Sequence, residues 1–539
     1  MINKNRIILV IILLIAVVLR FYNLGLTPPS LDWDEAAIGY NAYLLLETGR
    51  DEFGNILPVV MRSFNDYKPP LYFYLTILPV YLFGLTDFAV RVTSALGGVL
   101  TVLMTYLLVN RLVISRGSRY GLVAAGLLAI SPWHIYLSRV GFESNIGLLF
   151  TVISVLLFLI AMRKIWMLTF AAISFALGTY AYHTQKIFLP LILILLIITF
   201  YRQLLKNKKQ LLIAAISGIL IITPFVHLML TNKNVLSRVG NTSVYTDQTG
   251  LLMRSVSKLE IAQENGDLLG RVFANRRVTY TLTFINGYLA HLNPNWLFIS
   301  GDNPRHKSPG MGLMYWWELP VLMTGIYVLA RRRYPAGTKN IIFGWLFLAP
   351  VAAAITTEVP HAVRSLVMLP MLQIFTAFGL VKIIELVMQL SNKLKISIAV
   401  LLVFVISINF VYFVDSYFVH LDKEYSQSWQ YGYKKVADYI KLNGDLYEKI
   451  VVSTKLEQPH VFMLYYLKYP PSEYLEDGGT DPILENTKFG KYEFREINWE
   501  QEKHDSNTLY VGHPDEIPGT GIYQIDYLDG VPAIEIAQG

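Results

Sequence analysis

Two adjacent carboxylates are the first residues of the chain that are able to do chemistry. Asp34 and Glu35 follow an apolar N-terminal run. A carboxylate at such a place can act as a general base or hold a metal ion. The alternative is a pair of helix-terminal charges that complement the helix dipole. The residues that follow favour the catalytic interpretation.

A lysine fixed by prolines comes next in the same segment. Lys68 precedes Pro69 and Pro70, and Tyr67 and Tyr72 lie beside it. Because proline fixes a backbone dihedral, the pair restricts where the ammonium group points. The alternative is a lysine that extends towards lipid headgroups. We therefore predict a positioned cation near the carboxylates, with two tyrosines able to contact substrate.

Basic or imidazole side chains beside aromatic residues recur at the outer ends of the later predicted helices. The candidate phosphate contacts are Arg139, Arg305, His306, His361 and Arg364, and the candidate substrate contacts are His134, Glu143 and His183. Each one alone is typical of an interfacial anchor. Together they place cations on one water-accessible surface, which suits an anionic, lipid-borne substrate.

No required cofactor is indicated by these residues. The histidines lack close metal-ligand spacing, and a divalent cation held by Asp34 and Glu35 is left open. The chain has no cysteine, which excludes disulfides, thiolate nucleophiles and Cys-ligated metals.

The composition indicates a membrane protein. The 539 residues are 54% hydrophobic and 16% charged, and the mean hydropathy is +0.42, which excludes a soluble enzyme or a disordered chain. A membrane crossing needs roughly 20 apolar residues. Spanning helices are predicted at 7–24, 88–112, 120–138, 143–162, 164–182, 186–203, 209–230, 312–330, 341–357, 363–388 and 396–415.

The charges of the connecting loops predict an orientation. Alternate loops are basic and contain no acidic residue: Lys4 and Arg6; Arg111, Arg116 and Arg119; Arg163 and Lys164; Arg202, Lys206, Lys208 and Lys209; Arg331, Arg332, Arg333 and Lys339; Lys393 and Lys395. By the positive-inside rule, these loops and the N-terminus face the cytoplasm. The C-terminal tail then lies outside.

Two long outer loops remain to build a site, at residues 25–87 and 231–311. The first contains a predicted helix that Ser30 or Asp32 is able to cap. Residues 69–84 are apolar but short, and a crossing there would invert every later loop. We expect them to form a juxtamembrane or re-entrant helix on the outer face.

Charge also separates the tail from the rest of the chain. Residues 421–539 hold 11 basic and 21 acidic residues, whereas residues 1–420 hold 35 basic and 18 acidic ones. Helical spacing at 431–442 and strand patterns at 449–454, 521–527 and 531–536 predict a small extracytoplasmic α/β domain. The predicted fold class is therefore an α-helical polytopic membrane protein, with a transmembrane domain at 1–420 and a soluble α/β domain at 421–539.

An ordered set of motifs carries a resemblance to a known family. The set comprises Asp34-Glu35, Gly49-Arg50-Asp51, Lys68-Pro69-Pro70-Leu71-Tyr72, Phe83-Gly84, Ala89-Val90-Arg91, Gly97-Gly98, Ser131-Pro132-Trp133-His134, Ser138-Arg139, Gly301-Asp302, Arg305-His306, and Pro360-His361 with Arg364. Over residues 1–420 the chain resembles the membrane-embedded C-type glycosyltransferases. More closely, it is similar to bacterial members of glycosyltransferase family 39, the relatives of dolichyl-phosphate-mannose protein mannosyltransferases and of the aminoarabinose transferases that modify lipid A.

The resemblance implies transfer of a sugar from a polyprenyl-phosphate donor, with inversion, to an acceptor outside the cytoplasm. The family's acidic pair corresponds to Asp34 and Glu35, and the donor-contacting lysine of the aminoarabinose transferases corresponds to Lys68. The implied partners are the lipid-linked donor, a lipid-linked, glycan or protein acceptor, and membrane lipids, with no nucleic acid. Such a function belongs to the cell envelope.

Two departures from the mannosyltransferases bear on the acceptor. Lys68 stands where they carry a histidine before the prolines, and the chain has a C-terminal tail in place of their large lumenal domain. Both departures weigh against a protein acceptor. The alternative functions are a glycan polymerase or ligase, and a transporter or flippase of lipid-linked glycans. A transporter typically carries charges at the bilayer midplane, whereas the charges here gather at one face.

Overall fold

The structure, a computed structural model, describes residues 4–64, 66–113, 117–232, 243–244, 250–332, 334–481, 488–517, 519 and 521–539. Arg116 and Arg333 of the predicted cytoplasmic loops lie outside the described residues. So do residues 233–242 and 245–249 of the second predicted outer loop.

Helices make up most of the described chain. In chain order they are α1 (Lys4–Phe21), α2 (Trp33–Thr48), α3 (Leu71–Phe83), α4 (Asp87–Leu112), α5 (Gly117–Ile130), α6 (Pro132–Arg139), α7 (Glu143–Ala161), α8 (Met167–Thr179), α9 (Gln185–Leu205), α10 (Lys208–Thr231), α11 (Leu251–Glu264), α12 (Leu268–Phe273), α13 (Arg276–Ala290), α14 (Glu318–Arg331), α15 (Ala336–Leu348), α16 (Val351–Ala354), α17 (Met371–Val387), α18 (Asn392–Asp415), α19 (Leu421–Tyr425), α20 (Tyr433–Asn443), α21 (Pro459–Leu467) and α22 (Pro471–Glu476).

Each predicted span overlaps at least one of these helices. Within the described residues, seven helical segments are long and apolar enough to cross a membrane, and eight if the bent pair α5 and α6 is one span. That pair bends by 57° where Pro132 begins α6, because proline cannot donate the backbone hydrogen bond that would continue a helix. The apolar helix α3 lies where the juxtamembrane helix was predicted.

The helices pack closely where two glycines face each other. A Cβ atom on Gly325 of α14 would lie 1.8 Å from the Phe375 carbonyl oxygen of α17, and one on Gly379 would lie 1.9 Å from the Val321 oxygen. Small residues at such a crossing let the two backbones approach, which is how membrane helices gain packing energy.

The basic loops gather at one end of the helices. Arg119 in the first turn of α5 and Arg332 directly after α14 both pair with Glu385 near the end of α17, at N–O distances of 3.4 and 3.2 Å. Two loops predicted to be cytoplasmic therefore lie together.

The first outer loop is folded by local interactions. Asp32 caps α2 by accepting a hydrogen bond from the Asp34 amide at 2.9 Å, and Glu35 accepts one from the Asp32 amide at 3.1 Å. This reciprocal arrangement is a capping box, and it confirms one of the two predicted caps. Strands β1 (Met61–Ser63) and β2 (Asp66–Lys68) then pair antiparallel, which places Lys68 at the end of a hairpin before α3.

The tail forms a six-stranded sheet flanked by helices. Its strands are β3 (Lys449–Val452), β4 (Lys488–Phe489), β5 (Tyr492–Phe494), β6 (Thr508–Gly512), β7 (Tyr523–Asp526) and β8 (Pro532–Gln538). The strand order is β4-β5-β3-β6-β8-β7, with β3 parallel to β5 and β6 and the remaining pairs antiparallel.

The tail also shares a core with the first outer loop. Ala36, Tyr40 and Leu44 of α2 pack in one buried cluster with Phe462 and Tyr465 of α21. The apolar tail helix α21 therefore covers α2, and the position of α2 depends on the tail. The division at residue 420 stays a prediction.

Candidate active site

A polar cavity of about 550 Å³ lies against the N-terminal end of α2. It is lined by Asp32, Trp33, Asp34, Phe142, Asp302, Asn303, Arg305, His306, Glu358, Pro360, His361 and Arg364. This volume is in the range of small-molecule sites. The cavity joins carboxylates, guanidinium groups and imidazoles from three distant parts of the chain.

A second cavity, of about 340 Å³, lies among α7, α8, α9 and α10. Its lining is almost wholly apolar, with Phe158, Phe175 and Leu189 among the side chains. It offers no charged group for chemistry, so the polar cavity is the candidate active site.

Asp34 and Lys68 form an ion pair at the edge of the polar cavity. The ammonium Nζ of Lys68 donates to Asp34 Oδ1. The Asp34 side chain is 34% exposed, whereas that of Lys68 is 4% exposed and lies behind it. The carboxylate thus faces the cavity and the ammonium supports it.

Lys68 is cationic in spite of its burial. Burial alone would lower its pKa, but the charges of Asp34 and Glu143 outweigh burial, so the pKa of Lys68 is raised above its ordinary value. Glu143 is buried at the first turn of α7. Glu143, which was predicted to contact substrate, therefore helps to keep Lys68 protonated.

Glu35 points away from the cavity. Its carboxylate oxygens accept hydrogen bonds from Arg91 Nε at 2.9 Å and Nη2 at 3.0 Å, and from the Gly141 amide at 2.6 Å. A Cβ atom on Gly141 would lie 3.1 Å from Glu35, so a glycine suits this approach. With both oxygens occupied and no exposure, Glu35 holds three segments together, and a cation shared with Asp34 stays an untested prediction.

Arg305 joins α2 across the cavity. Its Nη1 donates to Asp32 Oδ2 at 3.0 Å, and its guanidinium lies 4.3 Å from the centre of the Trp33 ring. Burial and the neighbouring Asp34 charge raise the pKa of Asp32 to about 7, against the opposing pull of Arg305. Asp32 therefore caps the helix and also positions a cavity cation.

Arg364 is fixed on the opposite wall. Its Nη1 donates to Thr356 Oγ1 at 3.0 Å and to the Thr357 carbonyl oxygen at 2.6 Å, and its Nη2 lies 3.5 Å from Glu358. These contacts hold the Arg364 guanidinium at the cavity surface. Its carboxylate partner Glu358 is 78% exposed, so this ion pair is not a buried one.

Two imidazoles and a carboxylate meet on the same wall. The rings of His306 and His361 lie 4.7 Å apart, and His306 Nδ1 lies 3.5 Å from Asp302 Oδ1. Burial, His306 and Arg364 lower the pKa of His361 well below its ordinary value. Burial would raise the pKa of Asp302, but His306 and His361 lower it.

Other predicted contacts are engaged away from the cavity. Arg139 is fully buried and donates to the Tyr417 hydroxyl and to two backbone carbonyl oxygens, each at 3.1 Å. His134 Nδ1 lies 2.7 Å from an Arg20 nitrogen. Tyr72 donates to the Val90 carbonyl oxygen at 3.0 Å.

Tyr67 and His183 also do not line the cavity. Tyr67 is half-buried against a small cluster that includes Val60 and Phe225, and His183 Nδ1 lies 3.3 Å from Lys186 Nζ. The structure thus brings together Asp34, Lys68, Arg305, His306, His361 and Arg364.

Several lining residues were missed as site residues. Asp302 lies in the same short motif as Arg305 and His306, so proximity in sequence was a usable signal. Asp32 was predicted only as a helix cap. Trp33 and Phe142 gave no signal of their own, because an aromatic beside a charged residue is common at a membrane interface.

Comparisons with known proteins bear on this geometry. Residues 67–227 match the family described as "Dolichyl-phosphate-mannose-protein mannosyltransferase". ArnT from Cupriavidus metallidurans, solved bound to undecaprenyl phosphate, superposes with a TM-score of 0.58 at 12% identity, over 98% of this chain and 97% of that chain. The predicted resemblance to C-type glycosyltransferases is confirmed. The chain has an ArnT-like fold, and its apolar helices make it an integral membrane protein.

A second solved structure shares part of this fold. The oligosaccharyltransferase of Archaeoglobus fulgidus, tethered with an acceptor peptide, has a TM-score of 0.52 at 14% identity. The match covers 86% of this chain and 63% of that chain. A search of curated proteins finds no match.

Proposed function

We propose that the chain is an inverting glycosyltransferase that moves one sugar from a polyprenyl-phosphate donor to an acceptor on the extracytoplasmic face. The observation that carries this proposal is a single cavity in which a carboxylate, Asp34, faces two guanidinium groups, Arg305 and Arg364. One base and one cationic cradle are the two parts that a single displacement at an anomeric carbon needs.

The reaction assigns a role to each side of the cavity. An acceptor hydroxyl oxygen forms a bond to the anomeric carbon while the bond from that carbon to the phosphate oxygen breaks. Asp34 takes the hydroxyl proton, a role that typically contributes about 10² to 10⁴ in rate. The bonding electrons leave with the phosphate, whose growing charge Arg364 and Arg305 stabilise.

Lys68 serves both sides in this proposal. Its buried ammonium, 4% exposed, holds Asp34 by a hydrogen bond, and its positive charge adds to that of Arg305 and Arg364 near the phosphate. His306 and His361 complete the polar wall around the phosphate.

The comparisons support a lipid-phosphate donor. ArnT was solved with undecaprenyl phosphate, and an archaeal oligosaccharyltransferase was solved with a dolichol-phosphate and an inhibitory peptide. Their fold is the one found here. The oligosaccharyltransferase tethered with an acceptor peptide supports the presence of an acceptor, which we propose to be lipid-linked, a glycan or a protein.

The orientation belongs to the same proposal. The two basic loops whose arginines pair with Glu385 would face the cytoplasm. The cavity and the tail would lie on the outer side of a bacterial plasma membrane. The tail would then shape the acceptor side, since α21 covers α2.

Transfer of a whole glycan is a second candidate function. The partial likeness to an oligosaccharyltransferase favours it. A glycan transferase would accept a donor with many sugars, whereas the proposed enzyme would prefer a single sugar on a monophosphate.

A donor panel tests these functions. Purified protein in lipid nanodiscs is incubated with polyprenyl phosphates that carry single sugars and with lipid-linked oligosaccharides, and release of the free lipid is followed. We expect turnover with at least one single-sugar donor. Turnover with oligosaccharide donors alone would favour the second candidate. No turnover with any donor, together with solute flux across vesicles, would instead indicate a transporter.

A further inference from the structure

The cavity wall opposite Asp34 carries two histidines and an aspartate to which the proposed transfer gives no chemical step. One ligand atom from each of Asp302, His306 and His361 lies within 4.8 Å of the other two. The Asp302 and His306 side chains are only 8% and 12% exposed. Asp302 and His306 come from one loop and His361 from another, so folding creates the cluster.

The donor types fit one class of ion. Two imidazole nitrogens and one carboxylate oxygen suit zinc and similar divalent transition metals, whereas magnesium and calcium prefer oxygen alone. Ligands 2.0–2.1 Å from a tetrahedral zinc stand about 3.3 Å from each other. The observed separations therefore need to shorten by about 1.5 Å at most, which side-chain rotation supplies.

A buried nitrogen atom gives an independent indication. His361 Nδ1 is buried and has no hydrogen-bond partner among the described residues. A buried polar atom without a partner is costly. A metal ion would use such a lone pair.

The groups around the cluster already hold it in place. Asp302 Oδ2 accepts a hydrogen bond from the Ala362 amide. Asp302 Oδ1 accepts one from the Asn303 amide at 2.6 Å and lies 3.5 Å from His306 Nδ1. His291 accepts a hydrogen bond from the His361 amide at 3.2 Å through Nε2, and its Nδ1 lies 2.7 Å from the Gly287 carbonyl oxygen. Such outer contacts are typical of metal sites, where they orient the ligands.

We propose that Asp302, His306 and His361 bind a divalent transition-metal cation, with Zn²⁺ as the matching ion. Three protein ligands leave the fourth position of a tetrahedral zinc open, as in catalytic zinc sites. That position would face the cavity beside Arg364. Its use by a donor phosphate rests on the proposed function, whereas metal binding does not.

The test measures zinc without any donor. Full-length protein in detergent is stripped with a chelator and titrated with Zn²⁺ against a chromophoric competitor, and bound zinc is counted by mass spectrometry. We expect one tightly bound zinc per chain. Loss of an outer contact typically costs 10- to 100-fold in affinity, so Asp302→Asn and His361→Phe, which each remove a ligand, should weaken binding by at least about 100-fold.

A matched control separates this site from adventitious surface binding. His513 lies 3.3 Å from Asp515 on the tail and is 38% exposed, so His513→Phe removes a histidine beside a carboxylate without touching the cavity. It should leave the tight zinc bound. X-ray absorption at the zinc edge should show two imidazoles in the wild type and one in His361→Phe.

Two results would overturn the metal site: no tight zinc in the wild type, or equal affinity in the wild type, Asp302→Asn and His361→Phe. Either result is compatible with turnover of a lipid-linked donor. Conversely, tight zinc with no donor turnover would leave the metal site standing and count against the proposed function alone.

Discussion

The cavity wall and the buried layer beneath it use the same residue types for different purposes. Asp34 and Glu35 are adjacent in α2, yet Asp34 is 34% exposed beside Lys68, whereas Glu35 is fully buried with Arg91. Successive helical side chains point about 100° apart, so one faces the cavity and the next faces the protein. The carboxylate that reaches solvent can exchange a proton, whereas the buried one supports the structure.

The cations divide in the same way. Arg305 and Arg364 reach the cavity, whereas Arg91 and Arg139 are fully buried and donate mainly to backbone oxygens and to Glu35 or a tyrosine. Exposure to the cavity therefore separates groups available to a substrate from groups that hold the first outer loop on the helices. The following variants test this division.

The largest effect is expected from breaking the buried pair. Arg91→Met leaves Glu35 buried without its partner, and removing one member of a buried ion pair typically costs about 3–5 kcal/mol. The thermal midpoint of unfolding in detergent should fall strongly. Arg305→Met is the comparison, because its side chain is 31% exposed although its partner Asp32 is only 4% exposed, so it should destabilise the protein less than Arg91→Met does. Equal destabilisation of the two variants would contradict the division.

A smaller effect is expected when the cation behind Asp34 is removed. Hydrogen bonds to charged groups contribute about 1.5–3 kcal/mol, so Lys68→Ala should lower donor kcat/KM by about 10- to 100-fold. The acceptor KM should change little. Lys434→Ala, on the tail and 59% exposed, is the matched control. An unchanged donor kcat/KM in Lys68→Ala would remove the lysine from the phosphate site.

The smallest effect concerns pH and the contact between the tail and the first loop. Glu52 accepts hydrogen bonds from Asn41 at 2.9 Å and from Thr480 of the tail at 2.8 Å, and burial raises its pKa to about 7. The folded protein therefore binds this proton more tightly than the unfolded chain does. Its stabilising effect is complete below pH 4.5 and is lost as the pH rises to 7.

The measurement compares wild type with Glu52→Gln, which imitates the protonated acid. Between pH 6.5 and 5.5 the wild type should gain on the order of 1 kcal/mol relative to the variant. Chemical unfolding at several pH values reads this difference. Parallel pH profiles for the two proteins would mean that Glu52 does not titrate in the folded state near neutral pH.

The sequence predicted where the apolar helices lie, because apolar run length is a local property, whereas the predicted eleven crossings stay a prediction: seven or eight segments of the described residues are long and apolar enough to cross a membrane. The strands of the tail were harder to predict from the sequence. Strand β6 (Thr508–Gly512) is buried at every position, so it lacks the alternation that marks a half-exposed strand. Strands β4 and β5 are only two and three residues long, too short for a pattern.

The site was predictable only as a set of candidates. Arg139 and Arg364 occupy similar places beside aromatic or histidine residues in the sequence, but only the packing shows that Arg139 is covered by Tyr417 and Phe418. Likewise, His306 and His361 are 55 positions apart, and only the fold brings their rings together. Sequence spacing predicts which residues are neighbours within one helix or strand. It does not predict which residues from distant segments meet across a cavity.

The most direct test of the catalytic assignment compares Asp34→Asn with wild type in a single turnover of a lipid-linked donor. In Asp34→Asn, release of the lipid phosphate should slow by about 10² to 10⁴, while the variant stays folded and donor binding stays close to wild type. Glu35→Gln, the neighbouring change, should instead lower the melting temperature without a comparable loss of rate in the protein that stays folded. Lipid-phosphate release at the wild-type rate in Asp34→Asn would rule out Asp34 as the general base.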